Sequence, residues 1–317
     1  MIAVYIILGI LGAGLIFFLL PTMLISTVIY TVLFVRTNKN KWSRTCSWDN
    51  EEQRQMFAEG KKWGEENEAF RKTVEIKSGK YRLIGEYFDF GNDKAAIIIP
   101  GRMESGTYSY YFSEPYKKAG YNVLAIDNRS HGLSDGKFNT LGLKEYKDIL
   151  LWGKFLHDEL NIGDIVIHGI CIGSATGLYA LTSENCPEYF RALVADGMYT
   201  DFAESFKNHL IEKKKPLFPY SAEVMWLVGL TAGRSVSKNA PIRHIGKLKK
   251  PILFIYSKED TYSTPDKAKI LFEAANEPKK LVWFEHGIHS HVRINAPEKY
   301  DETIIDFLND YEAVASE

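Results

Sequence analysis

The chain has 317 residues, 45% of them hydrophobic, with 39 Lys and Arg against 40 Asp and Glu for a net charge of -1. That length supports one large α/β core or two small domains, and the balanced charge offers no basic surface for nucleic acid. The three cysteines, Cys46, Cys171 and Cys186, are too few and too scattered for a disulfide framework, match no zinc spacing, and fit a reducing compartment.

Residues 1–35 contain no charged side chain, and about 20 apolar residues suffice to cross a bilayer. The segment is therefore expected to span a membrane; it is too long, and lacks the basic start, for a cleavable signal peptide. Pro21 allows a kinked single span or a hairpin, but the second arm, Thr22 to Val35, is short for a crossing, so the single span is preferred. Arg36, Lys39, Lys41 and Arg44 follow the segment and no Lys or Arg precedes it. By the positive-inside rule the rest of the chain should be cytoplasmic.

Residues 36–71 are highly charged, yet Met56, Trp63 and Phe70 recur every seven positions with Phe57 beside them. This predicts a helix whose one apolar face packs on the outside of the following domain. A hairpin around Ser78-Gly79 comes next, then "KAAIIIPG", a continuous apolar run typical of a strand buried on both faces. Strand and helix patterns then alternate: the helix "SYYFSEPYKKAG" and strand "YNVLAIDN", a helix from about Lys144 to Leu160 and strand "DIVIHG", and the strands "RALVADG", "PILFIYS" and "KKLVWFE". Such alternation implies an α/β fold with a mostly parallel sheet covered by helices on both faces. Ligands of these sheets sit beyond the carboxyl ends of the strands.

Residues 201–243 interrupt the rhythm and predict a short helical cap. Its Lys213–Lys215 run reads as a solvated face, with an anionic substrate group or lipid headgroup as the alternative.

"VIHGICIGSATGLYA", Val166 to Ala180, is a strand turning sharply into a helix, with Gly169 and Gly173 two residues either side of Cys171. This is the spacing of a nucleophile elbow, with cysteine where serine usually stands. The glycines keep side chains out of the turn, and the helix N-terminus beyond it favours an anion. Ser174 lies three residues past the apex and is a poor nucleophile candidate.

From about Thr73 to Leu308 the chain resembles the α/β-hydrolase superfamily, close to its small-cap serine-aminopeptidase-like and acyltransferase-like branch. "DNRSHGLSDG", Asp127 to Gly136, is similar to the superfamily's D-x-R-G-H-G-x-S turn, with Ser130 in place of its first glycine; the resemblance makes this turn structural. "IIIPGRMESG" resembles the oxyanion loop, with Pro100 where histidine is common. That match implies an oxyanion hole from the backbone N–H groups of Arg102 and Ile172 and a loop supported in some other way. The Arg102 side chain is expected to face solvent, with contact to an acidic substrate group as the alternative. The resemblance also selects Asp260 over the adjacent Glu259 as the acid, and His289 over His286 and His291 as the base. Asp196 is left structural, and His157, His168, His209 and His244 are left to packing or the surface. Other members use cysteine at the elbow, so Cys171 is a competent nucleophile by precedent.

The expected organisation is a membrane anchor over 1–35, a charged linker helix over 36–71 and an α/β-hydrolase domain over 72–317. The expected activity is cleavage of an ester or thioester by Cys171, His289 and Asp260, on a small-molecule or lipid-like acyl substrate, with no cofactor, metal or nucleic acid. The alternatives are acyl transfer to an amine and a catalytically silent binding module on the membrane.

Overall fold

The computed structural model describes residues 1–45 and 50–315. Among them, eight strands form one sheet: β1 (Arg71–Ser78), β2 (Tyr81–Phe88), β3 (Lys94–Ile99), β4 (Asn122–Ile126), β5 (Asp164–Ile170), β6 (Phe190–Asp196), β7 (Ile252–Ser257) and β8 (Lys279–Phe284). The spatial order is β1-β2-β4-β3-β5-β6-β7-β8. The β1–β2 hairpin closes through Gly79, at φ 59°, and β2 runs antiparallel to both of its neighbours. Every other pairing is parallel.

The helices α1 (Ile2–Phe34) and α2 (Glu51–Glu66) precede the sheet. After β3 come α3 (Gly106–Ser109) and α4 (Glu114–Lys118); α5 (Tyr146–Leu160) follows β4, and α6 (Ile172–Leu181) follows β5. Then α7 (Phe202–Glu212) and α8 (Tyr220–Ala232) follow β6, α9 (Pro265–Ala274) follows β7, and α10 (Val292–Asn295) and α11 (Pro297–Ala315) follow β8.

Alternate strand residues feed two cores, as the pleat requires. Ile97, Leu124, Ile167 and Leu193 pack with Trp152 of α5 and Leu178 of α6 on one face. Ile98, Val123, Val166 and Val194 pack with Phe112, Tyr116, Tyr300 and Ile304 on the other. At roughly 1.5–3 kcal/mol for each large apolar side chain buried, these layers are the main stabilising contribution and fix the strand ends that carry the site.

Two expected helices differ in detail. Residues 109–120 do not form one helix; α3, a tight turn over Tyr110–Phe112 and α4 share the span. Pro115 lies in the first turn of α4, where its missing N–H is tolerated only at a helix start. α2 stops at Glu66, so Phe70 falls in a following turn and is 44% exposed, whereas Met56 is fully buried. Asn67 ends the helix by donating from its side chain to Trp63 O at 2.8 Å.

The N-terminal segment requires a correction. Residues 2–34 form one helix with Pro21 inside it, not a hairpin. Among the described residues, no helix is long and apolar enough to cross a membrane, which overturns the expected single-pass placement and the orientation drawn from it. From Thr22 onward the physical reason is visible. Thr22 and Ser26 donate to Glu223 of α8 at 2.8 and 2.7 Å, Tyr30 donates to Thr231 at 3.1 Å, and Phe34 is fully buried. This face of α1 is docked on the domain.

The flanking cations complete the docking. Arg36 donates to Gly132 O and Ser134 O at 2.7 and 3.1 Å. Lys41 Nζ caps the last carbonyls of α1, those of Thr31, Val32 and Val35, where a positive charge is favoured. Arg44 pairs with Asp127 and Glu86 at 2.8 and 2.5 Å.

Candidate active site

β5 delivers the chain into a tight bend at Cys171, whose backbone has φ 54° and ψ -108°. Such a conformation costs a non-glycine residue about 1–3 kcal/mol and must be held by its surroundings. The Cys171 N–H donates to Asp196 O at 2.8 Å, and the Ser174 N–H donates to Cys171 O at 3.2 Å. Ser174 Oγ donates to Gly169 O at 2.5 Å and Asp196 O at 3.0 Å, so its hydroxyl serves the bend and no reaction. A Cβ on Gly169 would lie 2.2 Å from Ser174 N, and one on Gly173 would lie 2.2 Å from Ile99 O. Only glycine fits at either position.

Asp260 lies in the turn after β7 and is buried. Its Oδ1 accepts from the N–H groups of Tyr262 and Ser263 at 2.7 and 2.8 Å, and its Oδ2 accepts from His289 Nδ1 at 2.7 Å. Burial alone would raise its pKa, but the His289 charge and these donors hold it below the ordinary carboxylate value.

His289, in the loop after β8, lines the same cavity as Cys171. Burial would drive the imidazole toward neutrality, yet Asp260 and Cys171 outweigh it and raise the His289 pKa well above its usual value. The structure thus pairs His289 with Asp260 and sets His289 on the same cavity as Cys171. Glu259 turns to His286, which is 77% exposed, and His291 bonds Glu52 of α2 at 2.9 Å. Cys186 does not line this cavity, and burial pushes its thiol up to about 11; Cys46 lies outside the described residues.

The loop after β3 places the backbone N–H of Arg102 without a partner among the described residues, as is that of Ile172 at the start of α6. With Pro100 in place of a histidine, the loop is supported from elsewhere. Arg102 O accepts from His131 Nε2 at 2.7 Å and from Asn139 at 3.3 Å. The His131 ring is stacked on Trp42, 4.5 Å between centroids. Glu104 folds back so that Gly101 N–H donates to its Oε2 at 2.9 Å, while Gln53 of α2 donates to its Oε1 at 3.1 Å. Burial pushes the Glu104 carboxyl up to about 7 against these bonds. Glu52, Gln53 and Glu104 were not singled out in the sequence, because their roles depend on where α2 docks.

Cys171 and His289 open into a cavity of about 440 Å³ whose apolar wall includes Phe34, Phe202, Phe206 and Ile288. Arg102 is not left to solvent: its side chain lines the cavity, donates to Leu33 O at 2.9 Å and lies 5.5 Å from the Phe34 ring centre. His209, expected to be a packing or surface residue, also lines the cavity and meets Tyr262 Oη at 3.1 Å. Asp196 is buried and accepts from Tyr300 Oη at 2.7 Å, in a cluster with His168.

A thiol and an imidazole–carboxylate pair on one apolar cavity, beside two N–H groups without partners among the described residues, supply the groups that acyl chemistry needs. Residues 95–219 match the family model described as the alpha/beta hydrolase fold. The chain is 31% identical over 216 residues, 67% of this chain and 70% of its relative, to the uncharacterized protein YqkD of Bacillus subtilis (strain 168). Among solved structures it is similar to the Pyrococcus furiosus esterase Pf2001, with TM-score 0.65 and 24% identity over 78% of this chain and 94% of that one. It is also similar to a Pyrococcus horikoshii acylaminoacyl peptidase, with TM-score 0.57 and 18% identity over 75% of this chain and 41% of that one. Sheet order, bend and sequence matches agree: the chain belongs to the α/β-hydrolase fold family.

Proposed function

We propose that the protein hydrolyses an ester or thioester through a covalent intermediate on Cys171. The observation that carries this reading is the His289–Asp260 pair, bonded at 2.7 Å, on the same cavity as Cys171 at the apex of its strained bend. Residues 72–317 are then the hydrolase unit, with 201–243 as its cap.

His289 takes the thiol proton, and the Cys171 sulfur attacks the acyl carbon. The carbonyl π pair moves to oxygen, where the N–H groups of Arg102 and Ile172 hold the charge. The tetrahedral adduct collapses, the C–O or C–S bond to the leaving group breaks, and that group departs with the proton from His289. Asp260 keeps Nδ1 of His289 as the donor throughout and stabilises the imidazolium. Water then gives a proton to His289 and attacks the acyl-enzyme thioester, and the thiol leaves with the proton returned. The similarity to an esterase and an acylaminoacyl peptidase supports acyl-group hydrolysis as the reaction class.

The test is hydrolysis of short aryl esters and thioesters by the full chain. Turnover is expected, with a loss of at least about 10³-fold in Cys171→Ala. Undiminished turnover in that variant would contradict the proposal.

A further inference from the structure

The cavity beside Cys171 carries positive charge that the reaction above does not use. Arg102 has five N–H donors, and among the described residues only one is committed to a protein acceptor, Leu33 O at 2.9 Å. Its guanidinium forms no ion pair among the described residues. Burial draws its pKa down, with Cys171, Tyr262 and Glu104 acting against that, and an arginine remains charged at neutral pH. Lys213 of the cap lines the same cavity, and its nearest acid is the adjacent Glu212 at 3.6 Å.

The other titratable groups do not cancel this charge. Glu104 is the acid of the cavity wall, but its two oxygens are turned to the Gly101 N–H and to Gln53. His209 is kept toward neutrality by burial, then by Arg102. His291 is kept toward neutrality by burial, against its bond to Glu52. The positive charge of His289 is matched by Asp260. What remains is the half-buried Arg102 guanidinium, without an ion pair among the described residues, beside an apolar wall of Phe34, Phe202 and Phe206; the Lys213 ammonium adds to it from the exposed rim, where Glu212 partly offsets it. A desolvated cation without a partner is costly, and a bound anion relieves that cost.

We infer that the cavity takes an acyl substrate bearing an anionic group, a carboxylate or a phosphate, which Arg102 and Lys213 hold while the apolar wall covers the connecting chain. This rests on the hydrolase reading for the acyl part alone; the anion site stands on its own contacts.

The experiment is calorimetric titration of the full chain carrying Cys171→Ala with three esters of one chain length. They are monomethyl suberate, which has a terminal carboxylate, its neutral dimethyl ester, and methyl 6-(phosphonooxy)hexanoate, which has a terminal phosphate. At least one anionic ester is expected to bind roughly tenfold more tightly than the neutral one. The stronger of the two identifies the source of the anion. That advantage should fall to about twofold or less in Arg102→Gln and by a smaller factor in Lys213→Gln.

Lys213 is 55% exposed, so its variant keeps the test open if Arg102→Gln fails to fold. Equal affinity for charged and neutral esters, no measurable binding of the anionic ones, or an advantage unchanged by the variants overturns the inference. Turnover of the same esters by the unsubstituted chain separates the two readings. Turnover without anionic preference removes the anion site and keeps the hydrolase. Preferential binding without turnover does the reverse.

Discussion

His289 is the residue on which the site converges, because it bonds the buried acid and lines the same cavity as the thiol. Replacing it with Ala should lower turnover by about 10² to 10⁴-fold, the usual range for a general acid–base. His286→Ala should leave turnover within about twofold, since His286 is exposed and bonds Glu259 instead. Steady-state kinetics on one aryl ester check both, and a large loss in His286→Ala would mean that the other histidine is the base. The elbow was readable from residues 169–173 because backbone crowding leaves no other residue at Gly169 and Gly173. The Arg102 side chain was not readable. Its direction is set by Leu33 and Phe34, which are about 70 positions away in the chain.

Two N-terminal elements that the sequence set apart from the domain turn out to hold its working loops. The first turn of α2 carries Glu52, bonded to His291 two residues past His289, and Gln53, bonded to Glu104 in the loop after β3. About two turns further on the helix packs closely, since a Cβ on Gly60 would lie 2.8 Å from Tyr111 N. Its amphipathic face was readable as a packing surface; its partners were not.

For α1, counting apolar residues concealed the positions that matter. Thr22, Ser26 and Tyr30 are spaced by four, which places them on one helix face, and that polar stripe was the available signal for docking on α8. Glu223→Ala should remove the acceptor of the buried Ser26 hydroxyl, while Thr22 keeps its bond to Leu19 O, and destabilise the fold by about 1–3 kcal/mol. Thermal unfolding of the full chain measures this, with protease cleavage near Arg36 expected to accelerate. An unchanged melting temperature and cleavage rate would mean that α1 contributes nothing to the fold.

Across the whole molecule, the sheet was readable because strands buried on both faces appear as continuous apolar runs, and the parallel order follows from the helices between them. The same burial places acids where the sequence cannot show their cost. Asp196, at the end of β6, has its carboxyl raised from 3.8 to about 7 by burial, opposed by the Tyr300 hydrogen bond. A raised folded-state pKa means that the folded chain binds more protons than the unfolded one between these values. Stability is therefore lost as pH rises from about 4 to about 7. The Asp196 contribution is on the order of 4 kcal/mol. Asp196→Asn should flatten this part of the stability profile, measured by denaturant unfolding at stepped pH. An unchanged slope would show that Asp196 is ionised at little cost.

Whether Cys171 forms a covalent bond with the acyl group decides the mechanism most directly. Mass spectrometry of the intact chain and its peptides, quenched in acid during turnover of a slowly deacylating aryl ester, locates the acyl group. The placing of Cys171 on one cavity with the His289–Asp260 pair predicts an acyl adduct on the peptide containing Cys171, released by hydroxylamine and absent in Cys171→Ala. An adduct on any other residue, or full turnover by Cys171→Ala with no adduct in either chain, would contradict it.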